Sequence, residues 1–308
     1  MPSSNGPQRK CEVLCVGIAV QDIVFRVQEF PPPGGKCMTH EFAVVPGGCA
    51  VNAAIAISRM GGRAHYAGPL GHPGDTVSNQ LIDQMTREGV GTIGVVRVPD
   101  ATAPVSGIMV DSAGERMITT YRDKRIESAR VADPDRLVSG MSMVLADNRF
   151  PHFVKPICEA ARRQGIPVLL DGDRPTVEDD PLFLVPTHIV FSSECLRATT
   201  KQEDLAAGLL RMTAHSDAFL AVSDGAGAVR YIAGNKVHNL PVFKVDAVDT
   251  LAAGDVFHAG VALALAEGRD EIAAMRFGSA AAAIKCTRFG GSMVAPKRAE
   301  VDALLARS

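Results

Sequence analysis

An α/β fold, with a mostly parallel sheet between helices and a small separate β-sheet, is the expectation for this chain. Three observations carry it. Short, continuously apolar runs recur along the sequence, and most are followed by a stretch of helical periodicity. Two regions, residues 23–45 and 105–120, alternate in polarity with no helical stretch of their own. The C-terminal third reads as helices in succession.

Taken in order, "EVLCVGIAV" (12–20) is a buried strand by its unbroken apolar run. "AVNAAIAISRM" is a small-residue helix ended by Gly61 and Gly62. "GDTVSNQLIDQMTREGV" is an amphipathic helix: Asp75 is its N-cap candidate, Val77, Leu81 and Met85 share a face, and Gly89 stops it. "SMVLAD" (142–147) is a strand, with a helix through "KPICEAARRQG" after it. "IPVLLD" and "HIVFSS" are the next strands, then comes a helix near 201–214, then the strand "AFLAVSDG". Helices over about 254–267, 269–285 and 297–306 complete the chain. The two alternating regions hold "FPPPGGK" and a hairpin pattern around Ser112-Ala113-Gly114. They predict a β-lid, from about 23–45 and 104–121, inserted in one domain spanning 1–308. Only roughly the first ten residues are expected to be disordered.

Composition narrows the function classes. The 308 residues carry a formal net charge of −2, with 46% hydrophobic and 21% charged residues, which is ordinary for a soluble protein with ample core. No basic cluster is interleaved with aromatics, so neither nucleic acid nor an anionic membrane has an electrostatic footprint here. No apolar run is long enough to span a bilayer, and the N-terminus lacks signal-peptide order; a cytoplasmic location is expected. The seven cysteines are scattered without a CxxC, which reads as reduced thiols rather than a zinc site.

The most informative stretch is "VDAVDTLAAGDVFHAGVALALAEG" (245–268). The loop at 250–254 follows a strand-like run, opens a helix and is almost free of large side chains. Free N–H groups and the helix dipole favour an anion there, and small residues let it approach. The loop is neither a GxxxxGK[ST] nor a GxGxxG motif. Asp255 beside an anion site is compatible with two roles. It can accept a proton from a hydroxyl that attacks a phosphate, or it can complement the helix dipole.

"DTLAAGDVFHAG" resembles the C-terminal signature of the ribokinase-like (PfkB) sugar kinases, D-T-x-[GA]-A-G-D, and "PGGCAVNAAIAISRMGG" resembles their N-terminal glycine motif. The likeness runs from about residue 12 to 300 in consistent order. It implies a ribokinase-like core with a lid, dimerisation through that lid, and ATP with Mg²⁺. Asp255 would be the general base, and Ala252, Ala253 and Gly254 would supply N–H groups to an anion hole. Asp249 would bind a monovalent cation such as K⁺, with a partner near "CTRFGG" (286–291). Ile108, Met109 and Val110 would suit the dimer contact.

The resemblance also implies a sugar end and a nucleotide end. Asp22 would hold sugar hydroxyls, which suits a carboxylate that accepts two hydrogen bonds. Gly47 and Gly48 would allow close backbone approach, and Asn52 would hydrogen-bond the sugar. Val20 stands where many relatives have Asn, and Cys49 where ribokinases often have Lys; the thiol is read as packing. Ser223, Gly225 and Gly227 in "AVSDGAGAV" would lie along the ATP phosphates, and Ser279 would flank adenine. The Mg²⁺ motif N-x-x-E is replaced by "SSECL", with Ser193 at the Asn position. Asp171 and Glu194 are therefore the candidates to hold Mg²⁺ through water.

Within the family, "CVGIAVQD", "IMVDSAGERMI", "VLADNR" and "IKCTRFGG" are similar to the sulfofructose kinase branch, where Lys36 and Arg149 would meet the sulfonate. Thr120 departs from that branch's Asn. The reading is an ATP-dependent kinase acting on a primary hydroxyl of a ketose such as sulfofructose. The rivals are a neutral-sugar kinase of the fructose or ribose type, a nucleoside kinase, and a non-catalytic sugar or nucleotide sensor on the same fold.

Overall fold

The apolar run expected as a single strand over 12–20 divides at Gly17. Its first part, β1 (Glu12–Val16), lies in a large sheet, and its second part, β2 (Val20–Arg26), lies in a small one. Gly17 has φ 151°, and a Cβ there would land on the Asp147 carboxylate, so the crossing point admits no side chain. The computed structural model describes residues 11–39 and 41–307; the expectation for the first ten residues lies outside them.

The chain continues through β3 (Glu41–Gly47), α1 (Cys49–Arg59), β4 (Arg63–Leu70), α2 (Thr76–Arg87), β5 (Gly91–Arg97), β6 (Val105–Val110) and β7 (Arg116–Tyr121). Next come α3 (Pro134–Val138), β8 (Met143–Asp147), α4 (Pro151–Arg163), β9 (Val168–Gly172), β10 (His188–Ser192), α5 (Ser193–Thr200) and α6 (Leu205–Met212). The last elements are β11 (Phe219–Ser223), β12 (Val229–Ala233), β13 (Lys236–Leu240), α7 (Ala253–Ala266), α8 (Glu271–Cys286) and α9 (Arg298–Leu305). Asp75 caps α2 as expected, accepting the Ser78 N–H at 3.1 Å; such a cap contributes about 1 kcal/mol.

Two sequence expectations need correction. The helix placed near 201–214 is α6 (Leu205–Met212), capped by Asp204, and a separate helix, α5, precedes it, capped by Ser192 and ended by Lys201 in the left-handed region. The strand after "AFLAVSDG" was not anticipated. β12 and β13 form a hairpin whose turn residues, Gly234 and Asn235, both have positive φ.

The large sheet has nine strands in the order β13-β12-β11-β10-β9-β8-β1-β4-β5. All neighbours from β5 to β11 pair in parallel, and only the β11–β12 and β12–β13 pairs are antiparallel, so β12 alone runs against the rest. Both faces are covered, which is why the strands are apolar throughout. Val13 and Cys15 pack with Ile55 of α1, Val256 of α7 and Phe277 of α8. Leu14 and Val16 belong to the opposite core with Ile157 of α4, Leu196 of α5 and Leu209 of α6. Among the described residues no helix is long and apolar enough to cross a membrane.

The small sheet has four strands in the order β3-β2-β6-β7. Its period-two alternation gives it two distinct faces. The inner face carries Asp22, Val24, Val45, Ser106, Ile108 and Val110, and the apolar members pack on Leu251. The outer face exposes Phe42, Val44, Met117 and Tyr121, with Phe25 stacked on Phe42. Ile108 and Val110 are therefore core residues, and of the three apolar residues expected on the outside only Met109 faces outward.

Candidate active site

Parallel strands align their carboxyl ends along one edge, where open α/β sheets leave their ligand crevice. Here that edge presents Gly17 after β1, Asp147 at the end of β8, Asp171 at the end of β9, Ser192 at the end of β10 and Ser223 at the end of β11. The start of α7 is pinned against it by His258. The His258 ring bridges the Gly254 carbonyl, 2.8 Å from Nδ1, and the Val190 carbonyl, 3.1 Å from Nε2, with Asp171 Oδ1 at 3.5 Å.

Asp255 sits in the first turn of α7, and its Oδ2 accepts a hydrogen bond of 2.7 Å from Asn52 Nδ2. Asn52 lies in α1, on the far side of the crevice in sequence but adjacent to it in space. Its Oδ1 is buried without a partner. The amide thus donates to the proposed base and keeps a free acceptor, whereas the resemblance implies only a sugar contact for Asn52. The Cys49 thiol and the carboxylates of Asp171 and Asp255 lie within 4.8 Å of one another. Burial, then the charges of Asp255, Asp171 and Asp147, pushes the Cys49 thiol well up, so it is no thiolate nucleophile.

The 250–254 loop turns sharply enough to place Ala252 in the left-handed region, φ 61° and ψ 13°. For a residue with a Cβ this is strained by roughly 1 kcal/mol. The Ala253 N–H bonds back to the Thr250 carbonyl at 3.2 Å. Among the described residues no acceptor meets the N–H of Ala252 or Gly254, and nothing lies within 4 Å of where a Gly254 Cβ would be. The expected anion hole thus retains two of its three N–H donors.

Asp22, on the inner face of the small sheet, lies near enough for the Asp255 charge to act on it. Burial pushes its carboxyl up to about 7, with the Ser106 hydroxyl pulling the other way and Asp255 adding to the rise. Gly47 and Gly48 are explained by this packing. A Cβ at Gly47 would land on the Asp22 carboxylate, and one at Gly48, where φ is 89°, would lie 2.5 Å from the Ile18 carbonyl.

Asp249 does not fit the expected monovalent cation. Its Oδ2 takes 3.0 Å contact from Lys285 Nζ, which also donates to its backbone carbonyl at 2.7 Å. Oδ1 accepts the Leu251 N–H at 2.8 Å and Oδ2 the Gly290 N–H at 3.1 Å. The ammonium fills the place the cation was expected to take.

The anion-recognition pair is also rearranged. Arg149 follows β8 at the site edge, but its guanidinium is paired with Asp173. Lys36 stands exposed on the loop between β2 and β3. The two are not brought together by any contact. For Mg²⁺, which prefers hard oxygen ligands, the Asp171 carboxylate is a suitable donor and the Cys49 thiol is not. Burial, moderated by His258 and reinforced by Asp255, pushes Asp171 up to about 6. Glu194, the other candidate, lines a surface cleft of ≈ 500 Å³ with Arg197, Ala198, Lys201 and Glu203, apart from the cluster at Asp255.

At the nucleotide end, Gly225 has φ 53° and the Gly227 N–H closes onto the Asp224 carbonyl at 2.7 Å, so both glycines serve a tight turn after β11. The Ser223 hydroxyl faces the Phe191 carbonyl at 3.4 Å. Ser193 opens α5 next to it. Ser279 in α8 is buried with an unpartnered hydroxyl, one residue from the Gly260–Gly278 crossing where α7 and α8 touch backbone to backbone.

Three residues of this site escaped sequence reasoning. Asp147 accepts the Ile18 N–H at 2.7 Å and the Arg149 N–H at 2.9 Å, and burial pushes it up to about 7 despite them. It ends the apolar strand β8, as Asp171 stands one residue from the end of β9, and that position was the available signal, whereas Asp22, expected at a strand end, lies inside β2. His258 is one helical turn after Gly254. Lys285 is a lone cation within "AAAAIKC".

A carboxylate at a helix N-terminus with open N–H groups, facing a second carboxylate on a covering sheet, is the arrangement of an α/β phosphotransferase that acts on an alcohol. The profile of the pfkB family carbohydrate kinase matches residues 10–298. A ribokinase of Bacillus subtilis (strain 168) is 30% identical over 310 residues, with 95% of this chain and 99% of that one covered. An ATP-dependent ribose-1-phosphate kinase of Halopiger xanaduensis is 30% identical over 301 residues, with 95% and 97% covered. A solved structure from Agrobacterium tumefaciens, provisionally assigned as a ribokinase, superposes with a TM-score of 0.91 at 36% identity, covering 97% of this chain and 98% of that one. The chain belongs to the pfkB family of carbohydrate kinases.

Proposed function

We propose that this protein transfers the γ-phosphoryl group of ATP to a primary hydroxyl of a neutral pentose or ketose, with Asp255 as the general base. The observation that carries this reading is Asp255 held at 2.7 Å by Asn52 beside the open N–H groups of Ala252 and Gly254. Asp22 and the Asn52 carbonyl grip the sugar hydroxyls. Asp255 accepts the proton as the sugar oxygen bonds to the γ-phosphorus and the bond to the β-phosphate oxygen breaks, releasing ADP. The N–H groups of Ala252 and Gly254 hold the charge of the phosphoryl group in flight. Bound Mg²⁺ supplies neutralisation of the phosphate charge, with Asp171 as its water-mediated anchor beside Asp255; Glu194, on the separate surface cleft, is not called on. Ser193, Ser223, Gly225, Gly227 and Ser279 line the nucleotide.

A neutral sugar is favoured because Arg149 is already neutralised by Asp173 and Lys36 stands exposed. A sulfonated ketose is the second reading, supported by the position of Arg149 at the site edge; it requires that Arg149 leave Asp173. The exposed apolar face of Phe42, Val44, Met117 and Tyr121 supports a homodimer through the small sheet. The test is ADP release from ATP and Mg²⁺ across ribose, fructose, 6-deoxy-6-sulfofructose and adenosine, with Asp255→Asn as the control. That variant should bind ATP and lose about 10²–10⁴-fold in turnover. Turnover near that of the wild type would remove Asp255 from the base role.

A further inference from the structure

Asp249 and Lys285 are both fully buried, at 0% exposure, 36 residues apart in sequence. Burying one charge alone is prohibitive, and a buried pair persists only with good geometry and satisfied hydrogen bonds. This pair has them. Lys285 Nζ donates to the Asp249 carboxylate and to the Asp249 carbonyl, while the carboxylate also collects the N–H groups of Leu251 and Gly290. Three segments therefore converge on one buried ion pair: the end of α8, the 290–291 turn, and the loop that leads straight into Ala252 and Gly254.

We propose that the Lys285 ammonium is a tethered replacement for a monovalent cation, which fixes the anion-hole loop through Asp249 and frees this enzyme from dependence on K⁺. The functional half rests on the kinase reading above; the structural half does not. A second cation beside Asp249 would meet the ammonium at close range, and the like charges would repel in a site fully buried from solvent. The Asp249 carbonyl oxygen, a hard oxygen of the same residue, already accepts from Nζ at 2.7 Å. Lys285 touches no reacting atom, so it is a positioning residue. Its effect reaches Ala252 through the Asp249 to Leu251 hydrogen bond.

The test uses the full chain at fixed ionic strength, with KCl exchanged for choline chloride. ADP release is read with whichever sugar the panel selects, and thermal unfolding is read in parallel without substrate. The wild type should change by less than about fivefold in turnover and show no K⁺-specific rise in melting temperature; activation beyond about fivefold overturns the proposal. Lys285→Ala should turn over poorly in choline and recover at least about fivefold with K⁺, NH₄⁺ or methylammonium, and the same ions should raise its melting temperature. Lys285→Met keeps the stem's volume and removes the charge, so it separates lost packing from lost charge. It should be slow in choline and should also melt lower, because Asp249 is left buried without its counter-charge, and K⁺ should recover less of either than in Lys285→Ala because the methionine stem still fills the space. Wild-type turnover of either variant in choline, or no rescue of a folded Lys285→Ala by any of the three ions, overturns the proposal. If neither variant folds, the wild-type ion series decides. Absence of ADP release with every sugar would sink the kinase reading instead, and the unfolding series would still report on the ammonium.

Discussion

Replacing Asn52 by Leu removes the side chain that holds the proposed base while keeping its volume. The wild-type amide donates to Asp255 Oδ2 at 2.7 Å from a buried position in α1. A hydrogen bond to a charged group contributes about 1.5–3 kcal/mol. If it holds Asp255 in the geometry that accepts the proton, its loss is felt in the transition state. At 1.36 kcal/mol per tenfold, turnover should then fall about 10- to 150-fold. Asn52 Oδ1 has no protein partner, so a sugar hydroxyl that uses it is lost too, and the KM for sugar should rise while the KM for ATP stays put. Coupled ADP release gives kcat and both KM values, and circular dichroism with thermal unfolding checks that α1 survives. Turnover within about threefold of the wild type in a folded Asn52→Leu protein would refute the reasoning.

Two further predictions concern stability. Burial raises Asp22 and Asp147 to about 7 and Asp171 to about 6. Between the ordinary carboxylate value and these raised ones, the folded chain holds protons that the unfolded chain has released. Stability from these groups is therefore greatest at the acid end of the window and falls as pH rises to about 7. The urea midpoint should drop from pH 5 to pH 7.5, less steeply in Asp147→Asn; a midpoint that rises over that range would contradict the assignment. Ala252→Gly relieves a positive φ and should leave the protein equally stable or stabilise it by up to about 1 kcal/mol. A loss of more than about 1 kcal/mol in denaturant titration would show that the Ala252 methyl contributes packing that offsets the strain.

The layered fold was readable because it is written in local periodicity: unbroken apolar runs for β8 to β11 and an apolar stripe with Asp75 before it for α2. The division at Gly17 was not, because the run stays apolar through both halves; what splits it is the Asp147 carboxylate, 130 residues away. The α5–α6 break hid for a similar reason, since Ser192, Lys201 and Asp204 are ordinary polar residues until their caps are seen. In the site, the loop before Asp255 announced itself by its lack of side chains, and Gly47 and Gly48 by their pairing. The partners of those residues did not. That Asn52 reaches Asp255, that Arg149 is neutralised by Asp173 and that Lys285 lies under Asp249 are facts of tertiary contact. The turn of Gly234 and Asn235 is the exception, a hairpin signal carried by the local sequence alone.

Only Gly17, Ile18 and Ala19 separate the rigid large sheet from β2, and Asp22 lies three residues further on the same thread. The small sheet is thus a lever whose pivot is one glycine packed on a carboxylate, and Asp22 rides near that pivot. Under the proposed function, a rotation of the sheet would carry the Asp22 sugar contact with it, so that enclosing the substrate and holding it would be one event. The far end of the small sheet is the apolar outer face of Phe25, Phe42 and Met117. A load placed there, whether a neighbouring subunit or an antibody fragment, would be transmitted to Asp22 as a change in grip, giving the enzyme's surface a handle on its affinity.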